Sequence, residues 1–122
     1  MEVAWAMDKV FVYGTLRKGE SNHHLLQQAL YLGQCQIQGR YQLFNLGYYP
    51  ALVDAEHNRR IAGEVYQVSA QELAQLDILE EYPSLYRREP VETQHGRAWV
   101  YLYNHNVDSF PLIEDGDWCH RS

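Results

Sequence analysis

The sequence predicts a single α+β domain, and three observations support this prediction. The chain has 122 residues, which allows one hydrophobic core but leaves no room for two. Its composition, 46% hydrophobic and 21% charged, is typical of a globular protein rather than a disordered one. The hydrophobic pattern indicates roughly five or six strands and two helices joined by mostly short links. We therefore expect one domain over residues 1–122, with its core from about residue 8 to residue 118.

The first part of the chain predicts a strand, a turn and a helix. Residues 9–13, Lys-Val-Phe-Val-Tyr, are mostly β-branched or aromatic, which is typical of a buried strand, and Gly14 stops this strand. A turn follows. Leucine and alanine side chains then share one face of residues 21–31, so a helix is expected there, ended by Gly33.

The middle of the chain predicts strands. Residues 35–44 alternate weakly around a glycine, which indicates a hairpin or a bent strand. Residues 48–53 form a short strand whose proline favours a sheet edge. A polar turn over residues 56–60 leads to residues 61–68, which alternate cleanly between apolar and polar side chains as a strand does.

A second helix is predicted over residues 70–80. Ser69 precedes it and Glu72 follows three positions later, which is the pattern of a capping box. Depending on its rotation, the helix buries either Leu73, Leu76 and Leu79 or Leu76, Leu79 and Glu80.

The last two strands form a predicted hairpin. Residues 86–93 and residues 98–103 flank His95-Gly96, which is a typical hairpin turn. The chain becomes irregular from Asn104 onward. Short strands of this number can close into a small barrel.

Charge and residue patterns argue against several classes of function. The net charge of −6 argues against a nucleic-acid partner, because no face can easily become strongly basic. No apolar run approaches the roughly 20 residues that a membrane-spanning helix needs, and residues 1–7 lack the basic start of a secretory signal. Cys35 and Cys119 have neither CxxC spacing nor the density of a disulfide scaffold, which indicates reduced thiols and a cytoplasmic location. The six histidines show no zinc-ligand spacing, so no metal is expected.

The end of the first strand is one candidate for chemistry. A buried strand that stops at Gly14 and turns toward a helix exposes backbone N–H groups, which suit a carboxylate or a developing oxyanion. The alternative is that Gly14 only permits a tight turn and that these N–H groups bond to water. Arg17 could add a positive charge for the carboxylate, although an arginine in a loop is more often solvated.

The end of the second helix is the other candidate. Glu80 follows two leucines at spacings of four and seven residues, so its carboxylate shares their face. Desolvation there would raise its pKa and suit it to proton transfer near neutral pH. The alternative is that Glu80 is solvated at the rim or paired with Arg87 or Arg88. Asp77, which we expect to face solvent or cap the helix, and Glu81, which lies off the leucine face, are expected to be bystanders.

Together these segments resemble the γ-glutamyl cyclotransferase-like family. Residues 12–17, Val-Tyr-Gly-Thr-Leu-Arg, resemble its Tyr-Gly-Ser/Thr-Leu signature. Residues 63–66 followed by residues 76–80, Leu-Asp-Ile-Leu-Glu, resemble its strand-and-helix block, whose last glutamate is the acid/base. Residues 86–88 resemble the block after it. The tail over residues 113–118 is similar to a short bacterial subgroup, the YtfP-like proteins.

The resemblance implies a small mixed β-barrel with flanking helices, a pocket at its mouth, and neither metal nor cofactor. It also implies release of 5-oxoproline from a γ-glutamyl amine, amino acid or isopeptide, by attack of the substrate's own α-amine on its γ-carbonyl. The general acid/base is then Glu80. This small-molecule substrate is expected to be bound by Tyr13, Gly14, Thr15, Leu16 and Tyr86.

Other functions remain open from the sequence. The chain could be a non-catalytic small-molecule binding module that uses the same pocket, or an enzyme that removes a γ-glutamyl protecting group during secondary-metabolite assembly. Glu81 stands where several relatives carry glycine, and this difference concerns the turn after the acid. Tyr86 could hydrogen-bond the Glu80 carboxylate, line the pocket, or simply be a buried strand aromatic.

Overall fold

The computed structural model describes residues 7–120. The ends of the predicted domain over residues 1–122 lie outside the described residues, and so does most of the segment considered as a secretory signal. Within residues 7–120, the regular structure consists of five strands, one α-helix and two short 3₁₀ turns. None of the helices in this range is long and apolar enough to cross a membrane.

The five strands form one mixed sheet. They are β1 (Met7–Val12), β2 (Leu30–Asn45), β3 (Pro50–Ser69), β4 (Tyr86–Thr93) and β5 (Gly96–Tyr103). Side by side their order is β2, β3, β1, β5, β4. Neighbours are antiparallel except β1 and β5, which are parallel. This mixed sheet and the helix α1 (Ala70–Leu79) agree with the predicted α+β class.

The sheet is not closed into a barrel, so the predicted barrel is not confirmed. Among the described residues, the edge strands β2 and β4 form no ladder with each other. Gly33 lies at a register shift of β2, with φ +147°, and the ring of His95 occupies the space beside it. The His95 Nε2 atom lies 2.8 Å from where a Cβ on Gly33 would stand. The ring of His95, in the turn between β4 and β5, therefore lies against β2 where a side chain at position 33 would stand.

The helix predicted over residues 21–31 is wrong. His23–Leu26 forms a single 3₁₀ turn, and the chain is extended from Leu30, where β2 begins. Leu30 pairs with Gln67 of β3. A short isolated helix is marginal in water, whereas pairing with a long strand supplies a continuous ladder of backbone hydrogen bonds. Gly33, expected to end the helix, consequently lies inside a strand.

Residues 56–60, predicted as a polar turn, lie within β3 instead. The strands predicted over residues 48–53 and 61–68 merge into this one strand. The pairing with β2 jumps from Asn58 to Asp54 across a single step of β2, which is a bulge. The polar composition therefore marks extra residues in a continuous strand and not a change of direction.

Helix α1 begins and faces the core as its sequence predicts. The Ser69 hydroxyl accepts a hydrogen bond from the Glu72 N–H at 3.1 Å, and the Glu72 carboxylate accepts one from the Ser69 N–H at 2.7 Å. This confirms the capping box. Leu73 and Leu76 are buried.

Helix α1 ends in a left-handed residue. Glu80 is the C-cap, and Glu81 follows with φ 54°. The Glu81 N–H donates to the Ile78 carbonyl at 3.1 Å, and the Tyr82 N–H donates to the Asp77 carbonyl at 2.9 Å. This pair of bonds is a Schellman motif, in which glycine usually occupies the position of Glu81.

The core lies on both sides of the sheet, and β1 passes between its two halves. Phe11 packs in one cluster with buried side chains from β2, β3, β5 and the tail, including Trp118. Val10 and Val12 pack in the other cluster, with the leucines of α1. Both faces of β1 are therefore covered, which explains its unbroken apolar run and confirms the predicted buried strand.

We expect Glu81→Gly to raise the free energy of unfolding by about 1 kcal/mol, because a left-handed conformation is costly for a residue with a Cβ and free for glycine. Urea unfolding of the purified protein measures this change. Glu81→Ala, which also removes the carboxylate but keeps the Cβ, is the matched control and should give no gain. An equal gain in both variants would assign the effect to charge and not to the backbone.

Candidate active site

A cavity of about 340 Å³ opens where the end of β1 meets the end of α1. Its walls are completed by the loop between β2 and β3 and by the start of β4. The structure brings together in this cavity all six residues that the sequence singled out, namely Tyr13, Gly14, Thr15, Leu16, Glu80 and Tyr86.

The turn after β1 presents main-chain donors to the cavity. The Arg17 N–H closes the turn on the Gly14 carbonyl at 3.0 Å. Asn22 stabilises the turn with two hydrogen bonds. Its side-chain amide donates to the Thr15 hydroxyl at 3.0 Å, and its backbone N–H donates to the Thr15 carbonyl at 2.8 Å. No residue in the described part of the chain accepts a hydrogen bond from the N–H groups of Thr15 and Leu16. Two unpaired N–H groups in a buried turn suit a carboxylate or an oxyanion.

Glycine is required at position 14 because the backbone there packs closely against the Pro50 ring. A Cβ on Gly14 would meet the Pro50 ring, with Pro50 Cδ only 2.8 Å away and Pro50 Cγ nearer still. Gly14 therefore lets the strand end pack against the start of β3, which forms the opposite wall of the cavity. A side chain at position 14 would disturb this wall before it reached a ligand.

Arg17 does not face this cavity, so its possible role beside the substrate carboxylate is not supported. It is buried, and its guanidinium donates to Asp117 at 2.7 Å and to Glu64 at 3.5 Å. Glu64 also accepts from the Lys18 N–H and the Tyr66 hydroxyl. The expectation of a solvated arginine is wrong as well. This network holds the Arg17 end of the turn in position, and it does not engage the N–H groups of Thr15 and Leu16.

Glu80 projects a carboxylate without a counter-ion into the cavity. No hydrogen bond or ion pair joins this carboxylate to any other described residue, so the alternative of pairing with Arg87 or Arg88 is wrong. Burial raises the pKa of Glu80 to about 7, and the negative charge of Asp77 adds to the shift. A carboxyl group with this pKa can both accept and donate a proton near neutral pH.

Asp77, one turn earlier on the helix, has the opposite environment. Arg88 donates to its two oxygens at 2.8 and 2.9 Å, and the Tyr101 hydroxyl donates at 2.7 Å. Burial alone would raise the pKa of Asp77, but these hydrogen bonds lower it below its usual value. Asp77 is thus an ion-paired residue, so the expectation that its side chain caps the helix or faces solvent is wrong. Two carboxylates with pKa values pushed apart are typical of an acid/base centre.

Two buried tyrosines form the cavity floor with their hydroxyls turned to the main chain. The Tyr86 hydroxyl donates to the Pro50 carbonyl and the Tyr13 hydroxyl to the Tyr101 carbonyl, each at 2.6 Å. Burial raises the pKa of both groups well above their ordinary value, so both stay neutral. In this arrangement Tyr86 lines the cavity and does not donate to Glu80.

The sequence did not single out several lining residues. Asn22 lines the cavity and supports the turn after β1 through its hydrogen bonds to Thr15. Tyr48 and Tyr49 were assigned to a strand, whereas they lie in the loop before β3, after Gly47 with φ +108°. Among residues 7–120, no three His, Cys, Asp or Glu side chains come together as a potential metal site.

Comparison with known proteins places this geometry in a family. The family model "Gamma-glutamyl cyclotransferase, AIG2-like" matches residues 10–120. The chain is 52% identical to a putative gamma-glutamylcyclotransferase of Vibrio cholerae over 112 residues, which covers 92% of the chain and 96% of the relative. It is 42% identical to the gamma-glutamylcyclotransferase family protein YtfP of Escherichia coli, with coverage of 93% and 97%.

Solved structures agree with these sequence matches. The solution structure of YtfP from Escherichia coli superposes with a TM-score of 0.75 and the same coverage. The crystal structure of an aig2-like protein from Mus musculus, 29% identical, superposes with a TM-score of 0.74 and covers 88% of this chain and 86% of that one. The matched region contains the turn after β1, helix α1 and the cavity between them. The chain therefore belongs to the AIG2-like gamma-glutamyl cyclotransferase family.

Proposed function

We propose that this protein is an enzyme that releases 5-oxoproline from a γ-glutamyl compound, with Glu80 as its general acid/base. The observation that carries the proposal is the Glu80 carboxylate, which has no counter-ion and lies in the same cavity as the unpaired N–H groups of the turn. Family membership supports cyclotransferase chemistry in general.

The reaction needs two proton transfers and no protein nucleophile. Glu80 removes a proton from the substrate's α-ammonium, and the freed amine nitrogen attacks the γ-carbonyl carbon, which closes a five-membered ring. The resulting tetrahedral oxyanion collapses as the bond from carbon to the leaving nitrogen breaks. The proton held by Glu80 passes to that nitrogen, and the same carboxylate then carries over the second proton of the ring nitrogen, so the products are 5-oxoproline and the leaving amine as an ammonium ion. Glu80 returns to its carboxylate form.

The cavity supplies the remaining requirements of this reaction. We assign the N–H groups of Thr15 and Leu16 to the anionic part of the γ-glutamyl group. The rings of Tyr13 and Tyr86 hold the substrate chain between them. Confining the amine beside its own carbonyl corresponds to an effective molarity on the order of 10⁵–10⁸ M. Positioning and one carboxylate are therefore sufficient.

Two further parts of the proposal follow from the sequence. A cytoplasmic location fits the free thiols of Cys35 and Cys119. The alternative function, a binding module without turnover, would use the same donors and the same rings. It gives no role to Glu80, because a partly buried carboxylate without a counter-ion lowers stability and would repel an anionic ligand.

We expect Glu80→Gln to lower kcat for 5-oxoproline release about 10²- to 10⁴-fold, because the amide can neither accept nor deliver the proton. Production of 5-oxoproline from a panel of γ-glutamyl amines, amino acids and isopeptides measures turnover. Glu56→Gln, at an exposed position of β3, is the matched control and should keep the wild-type rate. Wild-type turnover in Glu80→Gln would rule out Glu80. Binding of 5-oxoproline by a wild-type protein that turns over no substrate would favour the binding module.

The raised pKa of Glu80 also predicts a pH-dependent stability that needs no substrate. In the folded protein this pKa is about 7, above the ordinary value of 4.5, so the folded state binds an extra proton between these values. The stability that this proton contributes is fully present below about pH 4.5 and is lost as the pH rises through 7. Glutamine resembles the protonated form at every pH. The stability of Glu80→Gln relative to wild type should therefore increase between about pH 5 and pH 8.

Urea unfolding at both pH values measures this difference, and the other titrating groups cancel between the two proteins. Glu56→Gln should show no such change, because Glu56 is exposed. A pH-independent difference for Glu80→Gln would mean that the pKa of Glu80 is not raised in the folded protein.

A further inference from the structure

The cavity has charges of one sign only. The described residues that line it include two carboxylates, Glu80 and Glu81, and no lysine, arginine or histidine. In the proposed reaction the carboxylate of the glutamyl group is bound by main-chain N–H groups. The charged side chains that the amine side of the substrate can meet in this cavity are therefore all acidic.

The Glu81 carboxylate is available to a ligand. It is exposed beside the cavity, and no other residue within 7–120 forms a hydrogen bond or an ion pair with it. The two arginines nearest in sequence are engaged elsewhere. Arg87 pairs with Asp54 and Glu89, each at 2.7 Å, while Arg88 holds Asp77. The negative charge of Glu81 is therefore not compensated by the protein.

Aromatic side chains at the same rim also favour a cation. Tyr48 lines the cavity although its side chain is left 92% exposed, and Tyr49 lies beside it. The faces of tyrosine rings attract ammonium groups. A carboxylate beside them adds its own Coulombic attraction. Glu80 is occupied by the proton transfers, so a second ammonium would be held by Glu81 and these rings.

Building on the proposed function, we infer that Glu81 is a specificity determinant that selects γ-glutamyl compounds whose amine side carries a second positive charge, such as a γ-glutamyl diamine. A γ-glutamyl amino acid would instead place its carboxylate among acidic residues with no cation to receive it. Glu81 acts in binding only, because the proton transfers belong to Glu80.

A binding measurement in the Glu80→Gln protein isolates this effect, since turnover is slowed about 10²- to 10⁴-fold and Glu81 is the remaining carboxylate among the described residues that line the cavity. The probes are γ-glutamyl-1,5-diaminopentane and γ-glutamyl-hexylamine, which have the same length and differ in a terminal ammonium or methyl group. We expect the charged probe to bind roughly three- to tenfold more tightly by calorimetry. This preference should shrink as the salt concentration rises, because the carboxylate is exposed.

Replacing the carboxylate should remove the preference in two independent ways. Adding Glu81→Gln keeps the shape of the side chain, and adding Glu81→Gly keeps the left-handed backbone without strain. Both double variants should bind the two probes equally. Circular dichroism verifies folding in each case.

Three results would overturn the inference: equal affinities in Glu80→Gln alone, a preference that survives both second substitutions, or binding of neither probe. The proposed function fails separately, if the wild-type protein binds the charged probe selectively but releases no 5-oxoproline from it. Charge selection and catalysis are thus tested by different measurements.

Discussion

The ion pair between Asp77 and Arg88 determines the chemistry of the cavity, because it decides which carboxylate near the end of α1 remains free. Arg88 donates to both oxygens of Asp77, and its guanidinium stacks against the rings of Tyr82 and Trp99 at 4.5 and 4.7 Å. The aromatic rings hold the guanidinium by its faces and Asp77 holds it by its N–H groups, so Arg88 cannot move to Glu80. Arg88 therefore neutralises Asp77 and not Glu80, and the pKa of Glu80 stays raised to about 7.

Both carboxylates at the end of α1 are held at a cost in stability. Glu80 is desolvated without a counter-ion, and Glu81 occupies a left-handed position that favours glycine. Such features persist where the surrounding structure imposes them, and here the Schellman bonds and the capping box fix α1 at its two ends. The helix is thus a rigid support for two side chains that contribute nothing to its own folding. Under the proposed function, binding and catalysis rather than packing account for these two carboxylates.

Local signals in the sequence predicted the elements that hold the site, whereas long-range pairing produced the differences. The buried strand before Gly14 and the start of α1 follow from short-range patterns and capping chemistry, and the structure has both. The structure does not have the helix expected over residues 21–31 or the turn expected over residues 56–60. The pairing of β2 with β3 makes part of the first segment and all of the second extended, and no local pattern encodes this pairing. Whether the sheet closes into a barrel depends on the register of all its strands, and the sequence pattern does not reveal that register either. In the site, the spacing of the residues could not reveal that Arg88 forms its ion pair with Asp77 rather than with Glu80.

In the proposed function, the groups that bind the glutamyl part and transfer protons differ from the groups that would select the amine side. Main-chain N–H groups recognise an anion through geometry alone, and one carboxylate serves any leaving amine, so neither selects among γ-glutamyl compounds. Selection must therefore come from side chains that reach the amine side. Those available, Tyr48, Tyr49 and Glu81, lie in the loop before β3 and at the end of α1. Loops tolerate substitution far better than strands that are buried on both faces. Under the proposed function, substitutions at this rim would therefore change the substrate, whereas β1 and Glu80 would maintain the reaction.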